Sequence, residues 1–286
     1  MYIADLLAGG TRITNPRHFT LDDSLNIPQD WTNDSKAVIF TSNRTGQFAI
    51  YKQSLNEDVP ERISAGTGTF RDTPATPDGK WVFGIPWPKP GNPKDPDQIM
   101  RIPLAGGLPE LLTTAMANPM SGVLCAKPPS NVCVLGEGSE DRKQLIFLSI
   151  DPHKGRGAEL ARFDLDPNVE FSTFDVSPDG TQLAISRNPQ GPIYVLPLHG
   201  GKAQVIQARF NDMQQFFWAS NGKGFYVADR TKRGAVLSYM TLLGNTHVLW
   251  ETPGSPWIYA RPSPDGRHLA IAASSNSTNV WMMENF

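Results

Sequence analysis

Val176-Ser-Pro-Asp179-Gly-Thr-Gln-Leu-Ala-Ile185 is the stretch on which the fold turns. Proline presets φ for a tight turn, aspartate bonds its own backbone two residues on, and glycine accepts positive φ. With apolar residues alternating on either side, the segment reads as a β-hairpin. The same pattern recurs along the chain. It reads Trp31-Thr-Asn-Asp34-Ser-Lys-Ala-Val-Ile-Phe40, Ala75-Thr-Pro-Asp78-Gly-Lys-Trp-Val-Phe83, Trp218-Ala-Ser-Asn221-Gly-Lys-Gly-Phe-Tyr-Val227 and Pro262-Ser-Pro-Asp265-Gly-Arg-His-Leu-Ala-Ile271. A degenerate copy, Ala126-Lys-Pro-Pro129-Ser-Asn-Val-Cys-Val-Leu135, fills the gap between the second and third clear ones. The anchor position falls at 34, 78, 129, 179, 221 and 265, so the steps run from 42 to 51 residues. Periods of that size mark solenoids and propellers.

After each hairpin, here called strands a and b, comes a third apolar run and often a Gly-Gly turn into a fourth. Gln98–Leu112 around Gly106-Gly107 and Pro192–Ile206 around Gly200-Gly201 are the clearest c–turn–d pairs. Each unit is thus a four-stranded antiparallel blade, and the chain is predicted to be all-β, a single propeller of six blades over residues 1–286. The alternatives are seven blades with one incomplete, and a β-sandwich, which does not require one turn motif to recur. The blades fall near 24–65, 70–113, 117–163, 169–207, 212–250 and 256–286, with strands in 1–20 completing the last. Thr11–Thr14 is expected beside Val280–Glu284, closing an open sheet edge. That pairing leaves Met1–Leu6 as a surplus c-type strand, so the sequence reads as the C-terminal piece of something longer.

Composition agrees and excludes other classes. Gly and Pro number 25 each, about 17% of the chain against a usual 12% or so, while charged residues are only 19%. Many short elements joined by tight turns fit this, and a helical bundle does not. With 26 basic and 28 acidic residues the net charge is −2, which gives no electrostatic case for nucleic acid. No stretch approaches the roughly 18–20 apolar residues of a membrane helix, and Met1–Leu7 lacks the basic and apolar regions of a signal peptide. Membrane insertion by this chain itself is therefore not expected. Cys133 lies four past its anchor, at an apolar core position. Cys125 lies four before it, aligned with Asp30, Pro74, Asp175, Phe217 and Arg261. Alternation puts these two on opposite faces of the hairpin, so no disulfide is expected, and the cysteines then say nothing about redox compartment.

The Ser/Thr-Pro-Asp-Gly turns at 76–79, 177–180 and 263–266, with Phe40-Thr-Ser-Asn-Arg-Thr-Gly46 leading to Ile50-Tyr51, resemble the WD40-like PD40 repeats of the TolB-like propeller family. The resemblance covers essentially the whole chain. Asp30–Gln53 and the terminal Asn279-Val-Trp-Met-Met-Glu-Asn-Phe286 look more narrowly like the C-terminal sensor propellers of bacterial serine/threonine kinases and winged-helix regulators. The resemblance implies a binding or signal-sensing module, usually exported beyond a membrane span. Two departures stand out: the third unit has lost Asp-Gly, and no effector domain lies upstream.

No catalytic signature is present. GxGxxG, His-Arg-Asp, Asp-Phe-Gly, the Walker motif, HExxH and GxSxG are all missing. His18, His153, His199, His247 and His268 show no metal-ligand spacing, and paired acids such as Glu57-Asp58 and Glu140-Asp141 read as solvated turns. Catalytic residues, metal ligands and cofactors are therefore all read as none. The remaining candidates lie in the loops joining strand d to the next strand a, which converge on one face of a propeller. They are Asp22, Asp23, Phe70, Arg71, Asp72, Glu170, Phe171, Phe210, Asp212 and Trp257. Aromatic residues beside acids suit contact with a peptide, protein or small ligand; the plainer reading is acids bonding backbone and aromatics capping the blades. The proline-rich Pro86–Pro96 favours an extended path and is either a contact surface or a tolerated insertion. The function read from the sequence is a non-enzymatic binding or sensor propeller, periplasmic if anchored upstream; the alternative is a propeller hydrolase or lyase at the channel mouth.

Overall fold

The computed structural model describes residues 1–66, 68–87, 91, 95–116, 121–165, 173–186 and 189–273. Six four-stranded antiparallel sheets form a ring, a six-bladed β-propeller. The innermost strands of blades 1 to 6 are Asn26–Trp31, Thr69–Arg71, Gly122–Cys125, Thr173–Val176, Met213–Trp218 and Ile258–Pro262. Blade 4 shows the plan: Thr173–Val176, Gln182–Ser186, Ile193–Pro197 and Gln204–Ile206 pair in that order, inside to outside.

The recurring turn works by one local circuit. The Ser177 hydroxyl donates to Asp179 Oδ1 (2.6 Å), which also accepts the Thr181 N–H at 3.0 Å. Thr76 with Asp78 and Ser263 with Asp265 repeat it, and Gly79, Gly180 and Gly266 take the positive φ that follows. Blade 1 keeps the circuit through Thr32 and Asp34 but places Ser35 at φ 60°, where the other units use glycine. In Asp78, Asp179 and Asp265 partial burial pushes the carboxyl up, yet the hydroxyl and backbone N–H bonds outweigh it and the net shift is downward. The turns also clip blade to blade: Asn33 Nδ2 donates to Thr76 O and Pro77 O, Ser220 Oγ to Ser263 O, and Asp265 N–H to Ser35 Oγ.

Ring closure corrects one sequence expectation. Tyr2–Leu7 is no surplus strand. It lies directly on His268–Ala273, with Tyr2 opposite Ile271 and Asp5 opposite His268, and Arg12–His18 pairs on its outer side. The N-terminus thus supplies strands c and d of blade 6, and Ile258–Pro262 and His268–Ala273 supply a and b. The expected pairing of Thr11–Thr14 with Val280–Glu284 falls on a tail, 279–286, outside the described residues. Side-chain alternation explains why the pairing is tight. Ile3 packs with Trp31, Val38 and Phe40 towards blade 1, while Ala4 and Leu6 pack with Tyr226 and Leu237 towards blade 5.

The second correction is the disulfide. Cys125 and Cys133 are bonded, with Cα atoms 4.0 Å apart, and stand directly opposite each other across strands a and b of blade 3. The cause is one extra residue in the degenerate turn. Elsewhere the turn-closing bond joins residues such as Thr32 and Ala37 or Ser177 and Gln182, whereas in blade 3 it joins Ala126 to Val132. Counting back from the anchor therefore misplaces strand a by one position, which exchanges its two faces. Cys125 occupies the inward place of Trp31, Val176 and Trp218, and Leu124 takes the place opposite. Converting both cysteines to alanine is expected to cost about 2–3 kcal/mol in urea unfolding, the order given by loop-closure entropy for so short a loop. An unchanged midpoint, or two free thiols by mass spectrometry under non-reducing conditions, contradicts the register.

Candidate functional site: the propeller axis and its loop face

With the register settled, Asp30, Pro74, Leu124, Asp175, Phe217 and Arg261 hold equivalent positions on the innermost strands or just after them. Together they line a cavity of about 40 Å³ at the end of the ring where the a–b turns gather. Lys127, carried on the lengthened turn of blade 3, reaches across to Asp30 Oδ1 at 2.5 Å. The two acids are also structural clips. Asp30 Oδ2 accepts the Ala75 N–H of blade 2 at 2.9 Å, and Asp175 Oδ2 accepts the Trp218 N–H of blade 5 at 2.7 Å. Each axial aspartate therefore ties its blade to the next. Across the cavity the Arg261 guanidinium lies 3.6 Å over the centre of the Phe217 ring.

Burial, the largest effect, pushes the Asp175 carboxyl up to about 6; the nearby Arg261, the Trp218 N–H and Lys127 pull the other way and lose. The folded protein therefore keeps a proton that the unfolded chain has released above its ordinary value of 3.8. The stability this group contributes is fully present below about pH 4 and is lost as pH rises through about 6.

The opposite face carries the d–a loops, and there the candidates fall into three groups. Phe70 is buried against Ile39, Val82 and Ile102 and caps the core between blades 1 and 2. Arg71 joins Asp72 (2.7 Å), Asp97 (3.3 Å) and the Ser121 carbonyl (2.6 Å), so it locks blade 2 to the loop entering blade 3. Asp22 is bound by the Ser24 N–H, Asn26 Nδ2 and Arg44. Asp212 is bound by Arg230 and its N–H is held by Asp229. Phe210 packs at the edge of the blade 4–blade 5 core, and Trp257 stands edge-on to Tyr259 at 6.4 Å. Asp23 is exposed and has no hydrogen-bond or ion-pair partner among the described residues. Glu170, Phe171 and most of the Pro86–Pro96 insertion lie outside the described residues.

Of the b–c turns that share this face, the sequence singles out that of blade 2, Pro86–Pro96, and not that of blade 5. Lys232, Arg233 and Glu251 of blade 5, with Asn211, line a cavity of about 560 Å³. A second, of about 770 Å³, runs between blades 1 and 2 past Phe48, Trp87, Met100 and Leu108. Among the described residues no three His, Cys, Asp or Glu side chains are grouped to hold a metal ion, and no helix is long and apolar enough to cross a membrane.

No family model matches this chain, and no curated protein sequence does. Solved structures do. A TolB of Agrobacterium tumefaciens superposes with a TM-score of 0.69 at 19% identity, over 96% of this chain and 98% of that one. The nidogen/laminin complex contributes a match with a TM-score of 0.61 at 15% identity, over 87% and 93%. Oligogalacturonate lyase of Vibrio parahaemolyticus gives 0.55 at 11%, over 85% and 70%. At these identities the likeness establishes the class, a TolB-like β-propeller fold. One such ring serves both binding and catalysis, so the fold does not choose between them.

Asp175→Asn removes the one axial group that titrates near pH 6. The stability of wild type relative to this variant is expected to fall by about 2 kcal/mol between pH 4 and pH 7.5. Urea denaturation at the two pH values measures it. A pH-independent difference contradicts the assignment.

Proposed function

We propose that this propeller is a non-catalytic recognition module whose d–a loop face binds a protein or peptide partner. The observation that supports this most is a division of labour on that face. Asp22, Arg71, Asp72 and Asp212 are committed to internal bonds that fix the loops, while Asp23 is uncommitted and Leu21 beside it is 78% exposed. Trp257 lies on the next loop round the ring. A preformed loop carrying a few free apolar and acidic groups loses little conformational entropy on binding. The resemblance of Asp30–Gln53 to the sensor propellers of bacterial kinases and winged-helix regulators supports a role within a bacterial signalling protein, and the buried Cys125–Cys133 bond suits an oxidising, extracytoplasmic compartment. A chain of the nidogen/laminin complex, a complex between two proteins, has the same fold.

The test is selection of a random peptide library on the immobilised chain, followed by binding of the enriched peptides to Leu21→Glu/Asp23→Lys and to Trp257→Ala. Surface changes of this kind leave the unfolding free energy within about 0.5 kcal/mol of wild type. Affinity is expected to drop at least tenfold in one or both variants. Enrichment of no peptide, or full retention by both variants, contradicts the reading, as does cleavage of an oligogalacturonate chain by the wild type.

A further inference from the structure

We propose that the axial cavity is a binding site for a small carboxylate anion, with the Arg261 guanidinium as its receptor. The site lies at the a–b turn end of the ring, away from the d–a loops, and does not depend on the recognition role proposed for them.

Arg261 is the one charged group on the axis whose side chain has no hydrogen bond or ion pair among the described residues, although Asp175 feels its charge. Asp30 and Lys127 neutralise each other. Asp175 is held by two backbone N–H groups, from Val176 and Trp218. The Arg261 side chain makes no hydrogen bond or ion pair among the described residues, and its Nε is shut off from solvent without an acceptor. A buried donor left unmet costs about 1–3 kcal/mol, more when charged. Its flat face is covered by Phe217, and the guanidinium lines the cavity. A guanidinium edge is a fork that a carboxylate fits with two parallel bonds. The space matches a small partner: 40 Å³ of solvent-accessible volume holds about three solvent-sized atoms, the size of formate.

The surrounding charges set when the site can fill. Asp175 is faced by Arg261 from blade 6, by Lys127 from the blade 3 turn, by Asp30 across the cavity from blade 1, and by the Trp218 N–H from blade 5. With Asp175 ionised the four charged groups cancel and an incoming anion meets two carboxylates. With it protonated the cavity carries a net positive charge. Since burial raises Asp175 to about 6, acidification favours the anion, and uptake of the carboxylate carries uptake of a proton.

Isothermal titration calorimetry with sodium formate, which stays ionised at both pH 5 and pH 7.5, tests this directly. Wild type is expected to show saturable binding at pH 5, weakening by up to about thirtyfold at pH 7.5, the limit set by one group titrating near pH 6. Arg261→Gln is expected to lose binding at both pH values. Arg261→Lys, which keeps the charge but not the fork, is expected to weaken it at least tenfold and stands in if the glutamine variant fails to unfold cooperatively. Asp175→Asn is expected to bind at pH 7.5 as wild type does at pH 5. Absence of saturable heat from wild type at pH 5, unchanged affinity in both Arg261 variants, or equal wild-type affinity at the two pH values each overturns the proposal.

Discussion

The strand pairing between Tyr2–Leu7 and His268–Ala273 is the contact on which the rest of the propeller depends. A ring of blades has no free sheet face only when its first and last elements meet, and here they meet inside one blade. Ile3 and Ala4 point to opposite sides of the closing strand, and both are fully buried. One joins the core shared with blade 1, the other the core shared with blade 5. Further ties run from the same segment: Tyr226 donates to Gly10 O and Asn221 Nδ2 to Gly9 O, both from blade 5. Removing this strand would open two blade interfaces at once, along with the axis they enclose.

From closure follows the character of the axis. Six innermost strands can bring one side chain each to a common centre only if every blade keeps the same register. Blade 3 keeps it by letting its turn grow by one residue. That single residue turns Cys125 inward, where it bonds Cys133, and carries Lys127 over the cavity to Asp30. The irregular unit is therefore the one that adds a covalent bond and a cation to the centre. The polar groups at the axis divide into two kinds. Asp30 and Asp175 answer backbone N–H groups of neighbouring blades and hold the ring, whereas the Arg261 side chain makes no hydrogen bond or ion pair among the described residues.

Much of this was legible in the sequence because a local chemical circuit repeats. Ser or Thr, Pro, Asp and Gly specify their turn from within, so the six units and their spacing could be read without knowledge of packing. The closing strand was not: the Gly9-Gly10 turn marks the N-terminus as a c–turn–d pair, but it does not say which apolar segment, 268–273 or 280–284, stands beside it. The disulfide was misread for the same reason that the other turns were readable: counting from an anchor assumes equal turn length, and Pro128-Pro129 breaks that assumption. At the loop face the geometry follows the plainer reading, acids held by internal bonds and aromatics capping the blades. Phe70 caps a core, and Asp22 and Asp212 are tied down by Arg44 and Arg230, arginines about 20 residues away that no short-range pattern links to them. The importance of Arg261 emerges only when six blades are placed around one centre.

Hydrogen exchange on the native protein measures closure most directly. If the N-terminal strand completes blade 6, the amides of Ile3, Ala4 and Asp5 exchange only through global unfolding, with the same free energy and urea dependence as those of Leu269, Ala270 and Ile271. Fast exchange of residues 3–5 as a frayed end, while 269–271 remain protected, would contradict the account.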